Sequence, residues 1–247
     1  MTKTLNHRTR RYYVACLFAR SAAFIALVAY ALAAPDQFIT DLYDGHAISP
    51  ITVCWLLLML SMIVRLFPSP VESLGCQKAF ARRFHPSGQS PSKEDLRFAN
   101  KGALIALLFW VILNSIFFIG HHTISWMDDR FMVCLAAFYG VCDIICILFF
   151  CPFQAWMMHN RCCTTCRIYD WDYLMICTPL LGLRNALAIS ACVLAAYIFL
   201  HWEYTYHRHK EWFFESSNCA LKCGQCQEHL CRYKRSLANK VRSHLRK

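Results

Sequence analysis

Seven cysteines in two polar segments are the residues of this sequence best suited to chemistry. They lie outside the long apolar segments, at Cys162, Cys163, Cys166, Cys219, Cys223, Cys226 and Cys231. Two pairs among them have the CxxC spacing, which lets two thiolates on one turn approach the same cation. A tetrahedral site needs four ligands, and the second segment alone supplies four. The spacing therefore predicts a thiolate metal site, formed by the tail alone or shared by both segments.

The ligand type favours zinc or an iron–sulfur cluster as the cofactor. Zinc tolerates the observed spacings, whereas the CxxCxxCxxxCP pattern of bacterial ferredoxins does not occur here. Gly224 and His229 in the second segment strengthen the tail site, because they free the turn and add a ligand. Such a centre predicts a metal-dependent membrane protein that acts in electron transfer or in the assembly of a membrane redox complex, with a membrane protein as its partner.

Three other uses of these thiols are open. Cysteines beside a span, such as Cys162 and Cys163, are common acylation sites, and acylation would suit a non-catalytic membrane scaffold. The four tail cysteines would form disulfides if the tail faced an oxidising compartment. A dithiol exchange centre at either CxxC pair is the third use, although no thioredoxin-like βαβ pattern surrounds it.

Membrane helices are the elements that must position these thiols. Of the 247 residues, 57% are hydrophobic and 17% are charged, against about 25% charged in a soluble domain. Five segments approach the roughly 20 apolar residues that cross a bilayer: 12–34, 48–67, 102–120, 131–153 and 173–200. Because backbone polar groups must be satisfied within lipid, the predicted fold is all-α. We expect a polytopic helical bundle of four to five spans over residues 1–200, followed by a cysteine-rich basic tail over 201–247.

The basic residues predict the orientation of the spans. Lys and Arg gather in residues 1–11 and in the link 68–101, which are therefore predicted to be cytoplasmic, together with the link 154–172. A fifth full crossing would then place the basic tail outside. Pro179, Gly182, Arg184 and Asn185 indicate instead that the last segment is broken or re-entrant. Hydropathy favours five crossings, and the four-crossing topology, which puts both cysteine segments on one side, stays open.

Two local patterns concern the ends of helices. Residues 1–34 also fit a cleaved secretory signal, with a basic start and an ALAA ending, although Arg20 and Pro35 weaken that interpretation. Ser92 and Asp95 have the spacing of a capping box, which predicts that a helix begins there and runs into the third span.

Asp143 and Arg184 are charged residues inside the predicted spans. A charged side chain that faces lipid at the centre of a bilayer costs at least ~2.5 kcal/mol on the insertion scale. We therefore expect both side chains to face the interior and to form a pair, with Asn114 at a similar depth. The pair would serve a small transporter or channel component, or would simply hold two helices together.

The remaining patterns concern partners and catalysis. A basic amphipathic helix is predicted over 230–247, where apolar residues recur every three or four positions, and it suits anionic lipid or packing on the protein itself. The net charge of +11 comes without an RNA-stacking or helix-turn-helix pattern, so no nucleic-acid partner is predicted. Hydrolase, nucleotide-binding and acyltransferase motifs do not occur, which leaves catalysis open.

Overall fold

The structure is an all-α helical bundle, as the sequence predicts. It is a computed structural model that describes residues 2–44, 48–68, 73–82, 84–160 and 162–226, and 77% of it is helical. The predicted amphipathic helix over 230–247 and Cys231 lie outside the described residues. The α-helices are α1 (Thr2–Ala33), α2 (Pro35–Asp44), α3 (Pro50–Arg65), α4 (Leu74–Gln77), α5 (Lys93–Thr123), α6 (Asp129–Leu148), α7 (Asp172–Cys177) and α8 (Ala186–Arg208).

Four of these helices are long and apolar enough to cross a bilayer, namely α1 over Thr9–Ala33, α5, α6 and α8. Helix α3 is apolar but shorter, at 16 residues. The predicted spans 12–34, 48–67, 102–120 and 131–153 each correspond to one helix, although the fourth ends early, at Leu148. The helices support a multi-pass membrane protein.

Side-chain caps fix where the helices begin. The capping box predicted for α5 is present: Ser92 Oγ accepts from the Asp95 backbone N–H at 3.0 Å, and Asp95 Oδ2 accepts from the Ser92 N–H at 3.3 Å. At the start of α3 the Ser49 hydroxyl accepts from the Thr52 N–H, and at the start of α6 the Asp128 carboxylate accepts from the Phe131 N–H. The first N–H groups of a helix have no partner within the helix, so each such cap stabilises its helix by about 0.5–2 kcal/mol.

The segment 173–200 is not one continuous helix. Helix α7 is followed by a 3₁₀ turn over Thr178–Gly182, and the chain then breaks before α8, which Asn185 caps. Pro179 lies in the first turn of the 3₁₀ helix, where its missing N–H costs no hydrogen bond. The break predicted from Pro179, Gly182 and Asn185 is therefore confirmed.

Both cysteine segments lie at the same end of the bundle. The Trp202 Nε1–H, near the end of α8, donates to the Arg167 carbonyl at 2.9 Å, and the Cys219 N–H donates to the His85 carbonyl at 2.8 Å. We call this the polar end, and it comprises residues 73–82, 84–92, 162–172 and 209–226. Having both cysteine segments at one end agrees with the topology in which the last predicted segment, 173–200, does not cross as a single helix, and the number of crossings stays a prediction. The broken segment 172–182 runs into the bundle, and α8 returns to the polar end.

Apolar clusters fill the bundle between its ends. Tyr13, Trp202 and Tyr206 belong to the cluster beneath the polar end. At the opposite end, Leu183, which follows the broken segment, packs with Leu27 and other apolar side chains of α1, α2 and α3. These clusters hold α1, α3, α6 and α8 around a central space.

Candidate functional site

Asp143 forms its ion pair with Arg20 of α1, so the predicted pairing with Arg184 is wrong. Arg20 Nη1 lies 2.7 Å from Asp143 Oδ2 and 2.9 Å from the carbonyl oxygen of Gly140, about one turn earlier on α6. Arg184 lies in the break before α8 and is exposed. Helix α1 packs along α6, which brings Arg20 to the depth of Asp143, whereas α8 begins near the opposite end of the bundle.

Asn114 is buried on α5 and does not join this pair. Its Nδ2 donates to the Trp110 carbonyl at 2.9 Å, and the Tyr139 hydroxyl donates to its Oδ1 at 3.4 Å. The Asn114 side chain therefore links α5 to α6 instead of extending the ion pair.

A cavity of about 300 Å³ adjoins the Arg20–Asp143 pair. Helices α1, α3 and α6 form its walls, and α7 with the following turn closes another side. Most of its lining is apolar, with Leu27, Ile51 and Leu183 toward the end that lies opposite the polar end. The charged groups of Arg20 and Asp143 also line it. The cavity therefore combines a long apolar body with one ionic patch.

The cavity opens sideways between α1 and α3. Ala19 of α1 and Leu57 of α3 line it, and both are exposed on the outside of the bundle, Leu57 by 57%. Both residues lie well inside apolar helices, so the opening lies at the depth of the hydrocarbon and not at the water boundary. A molecule dissolved in the bilayer can therefore reach the cavity directly.

A buried ionic network lies between the cavity and the polar end. Arg65, the last residue of α3, places Nη1 2.7 Å from Asp170 Oδ1 and Nη2 3.2 Å from Asp172 Oδ2. All three residues are buried. The hydroxyls of Tyr13 and Tyr169 lie 3.3 Å apart and add a second link between α1 and the same segment. These contacts close the cavity toward the polar end.

The first two cysteines of the CCTTC segment contact polar neighbours in a short turn. Cys162 Sγ lies 2.8 Å from Thr164 Oγ1, and Cys163 Sγ lies 3.5 Å from Gln154 Oε1. Both thiols are partly buried. These two contacts are with a hydroxyl and an amide, which are weaker metal ligands than thiolates. Cys163 also lies near other thiols, because it contributes to the raised pKa of Cys166.

Cys166 is buried beside a lysine that sequence reasoning missed. Lys78 Nζ donates to the Cys166 carbonyl at 2.9 Å and lies 5.3 Å from the ring centroid of Trp202. Burial lowers the pKa of Lys78 to about 8. Burial, with a smaller contribution from the thiols of Cys151 and Cys163, raises the pKa of Cys166 to about 12. Without a bound cation, the Cys166 thiol therefore keeps its proton at neutral pH.

The cysteines of the tail do not form a metal site in the residues that the structure describes. Cys219 begins a 3₁₀ turn, Cys223 is exposed, and Cys226 is partly buried. Across residues 2–44, 48–68, 73–82, 84–160 and 162–226, no group of three or more His, Cys, Asp or Glu side chains could hold a metal ion. Zinc or iron–sulfur binding is therefore not confirmed, and a site that includes Cys231 stays a prediction.

Cys166 and Cys223 are expected to react very differently with a thiol reagent. At pH 8, iodoacetamide should modify Cys223 at least roughly 100-fold faster than Cys166, because Cys223 is exposed whereas Cys166 is buried with a raised pKa. Peptide mass spectrometry of the full chain over a time course measures both rates, with Cys166→Ser and Cys223→Ser assigning the peptides. The opposite order of rates would contradict the described burial. If Cys223 were protected from iodoacetamide and a chelator removed that protection, the result would support the predicted metal site.

Comparison of the chain with protein-family models, with curated proteins and with solved structures found no match. The function is therefore argued from the described geometry.

Proposed function

We propose that this membrane protein binds a lipid-soluble molecule with a single apolar chain in the cavity between α1, α3 and α6. The observation that carries the proposal is an apolar cavity that opens to lipid and contains an ion pair. Its volume of about 300 Å³ lies at the lower end of the roughly 300–1,000 Å³ found for small-molecule sites. This size suits one chain or a small ring better than the two chains of a phospholipid.

An apolar occupant gains packing contacts with the largely apolar lining of this cavity. The opening between α1 and α3 faces the solvent in which such an occupant dissolves.

The functions predicted from the sequence rest on other residues. The metal-dependent role needs a thiolate cluster, which does not occur in the described part of the chain. The transporter interpretation relied on an ion pair between Asp143 and Arg184, but Asp143 is paired with Arg20. The acylated scaffold remains a prediction for Cys162 and Cys163. Ligand binding is preferred because it uses the cavity and the ion pair together.

Photolabelling tests this proposal. The full chain, in phosphatidylcholine nanodiscs, is irradiated with a decane chain that carries a diazirine and no polar head, and the labelled peptides are mapped by mass spectrometry. We expect saturable labelling of cavity-lining residues on α1, α3 and α6. The variant Ala23→Phe, which fills part of the cavity, should reduce this labelling by at least roughly fivefold, the effect of about 1 kcal/mol of lost binding.

Ala22→Phe is the matched control. Ala22 is the neighbour of Ala23 on the same helix, but it is exposed on the lipid-facing side and does not line the cavity. It should leave the labelling of the cavity unchanged. Equal labelling in the two variants, or labelling confined to the outer faces of the helices, would show that the cavity takes no ligand.

A further inference from the structure

We infer that the occupant of this cavity has an uncharged head that accepts a hydrogen bond, namely a carbonyl group, and that Arg20 receives it. A lipid-soluble quinone and an acyl ester are two membrane-soluble sources of such a group. The inference rests on the proposed function, because it names the chemistry recognised in the same cavity.

Arg20 presents unused hydrogen-bond donors to the cavity. Its bonds to Asp143 and to the Gly140 carbonyl both use Nη1. Within the described part of the chain, Nη2 and Nε of Arg20 donate to no protein atom. The Arg20 side chain is 24% exposed and lines the cavity, so an occupant can reach these N–H groups. A guanidinium donates through five N–H groups and accepts none, so its complement is an acceptor.

Two other polar side chains of the cavity already use their donors within the protein. The Trp55 Nε1–H donates to the Leu187 carbonyl at 3.0 Å, and the Ser61 hydroxyl donates to the Leu58 carbonyl at 2.7 Å. Arg65 directs Nη1 and Nη2 to two carboxylates at the closed end, and its Nε is buried. Of the two arginines of the cavity, Arg20 is therefore the one placed to receive the head of an occupant.

The surrounding charge disfavours an anionic head. The guanidiniums of Arg20 and Arg65 and the buried ammonium of Lys78, with three positive charges, face the carboxylates of Asp143, Asp170 and Asp172, with three negative charges. Their formal sum is zero, so a phosphate or carboxylate head would be a buried charge without a compensating one. Burying such a charge is costly where the dielectric constant is low. A carbonyl oxygen accepts from Arg20 without adding charge.

Competition against the headless diazirine probe tests the head group. Four decyl compounds are compared by their mole fraction in the nanodisc: a decyl benzoquinone, monodecanoylglycerol, decyl phosphate and decane. At least one carbonyl compound should displace the probe at a mole fraction roughly tenfold or more below that of decane, the effect of one hydrogen bond to a charged donor. Decyl phosphate should bind no better than decane. The order of the quinone and the ester identifies the source of the carbonyl.

Two variants separate recognition by Arg20 from general folding. Arg20→Met combined with Asp143→Leu removes both charges and keeps the cavity apolar. The mole fractions at which the four compounds displace the probe should then agree to within about threefold, a smaller difference than one hydrogen bond to a charged donor produces. Arg20→Lys keeps the charge but not the forked donors, and it should lose most of the carbonyl preference. The exposed Arg184→Met is the control that should keep the wild-type order. Thermal unfolding of each variant verifies that it is folded.

Different results would contradict ligand binding in the cavity and the recognition of a carbonyl head by Arg20. If decyl phosphate competes better than both carbonyl compounds, or if the double variant keeps the tenfold preference, the carbonyl assignment is wrong while binding in the cavity stands. If the headless probe does not label the cavity in the wild-type protein, the proposed function fails and the assignment fails with it.

Discussion

Replacing Arg65 by methionine is expected to lower the free energy of unfolding by about 3–5 kcal/mol. Asp170 and Asp172 are only 4% and 9% exposed, and both would lose the guanidinium that they share. A buried carboxylate without its counter-charge is far less stable than the intact pair, whereas methionine retains much of the packing of the arginine stem. Denaturant titration of the detergent-solubilised full chain, followed by tryptophan fluorescence, measures the change.

Arg208→Met is the control for this experiment. Arg208 is exposed at the end of α8 and takes part in no ion pair among the residues that the structure describes, so its replacement should change stability by less than about 0.5 kcal/mol. Adding Asp170→Asn to Arg65→Met should recover part of the loss, because it removes one uncompensated charge. Equal stability of Arg65→Met and Arg208→Met would mean that the network contributes nothing.

Replacing Arg20 by methionine is expected to lower the free energy of unfolding by about 2.5–3.5 kcal/mol, the insertion-scale cost of an unpaired aspartate within the membrane. The Asp143 side chain is 15% exposed and, among the residues that the structure describes, would keep no counter-charge at hydrogen-bond distance. The same denaturant titration measures the change. Combining Arg20→Met with Asp143→Leu should restore most of the stability, because the double variant leaves no charge behind.

Arg184→Met distinguishes the two possible partners of Asp143. Arg184 is exposed in the break before α8, so its replacement should change stability by less than about 0.5 kcal/mol and should show no coupling to Asp143→Leu. A coupling energy between Arg184 and Asp143 larger than that between Arg20 and Asp143 would reverse the pairing.

The features of the fold that depend on local sequence were predictable. Apolar length gave the positions of the helices, and the capping box at Ser92 and Asp95 gave the start of α5, because both depend on neighbouring residues alone. The break at Pro179 and Asn185 was likewise readable from residue types. That both cysteine segments share one end of the bundle was left open, because hydropathy counts spans but does not show where a broken segment turns back.

The partner of Asp143 was mispredicted for a related reason. Arg184 reaches the depth of Asp143 only if the segment 173–200 is one continuous helix, and the break before α8 moves it to the end of the bundle opposite the polar end. Depth along a helix follows from sequence, but rotation about the helix axis and the choice of neighbouring helix depend on packing. The cavity between α1 and α3 has no sequence signal, since its lining residues resemble those of any apolar core.

The CxxC spacing of Cys163 and Cys166 predicted that their thiols lie close together, but it did not predict whether either thiol loses its proton. Spacing places two thiols on one turn, but the burial of Cys166 beside Lys78 depends on α4, α8 and the tail, which are distant in sequence. The ion pairs of Arg65 could have been suspected from the sequence. Asp170 and Asp172 follow a predicted span, and Arg65 lies at the end of another, so opposite charges occur at the ends of two spans.

Helix α5 runs from the polar end into the bundle without a break. Its 31 residues extend about 46 Å, whereas the hydrocarbon layer is about 30 Å thick, so several turns of one unbroken rod stand outside it. Asn100, on this protruding part, accepts from the Tyr206 hydroxyl at 3.1 Å and thereby joins the rod to α8. Because successive residues of an α-helix differ by about 100° in direction, one inserted residue would swing everything attached to that protruding part around the rod. The length of α5 therefore contributes to the orientation of the polar end on the bundle.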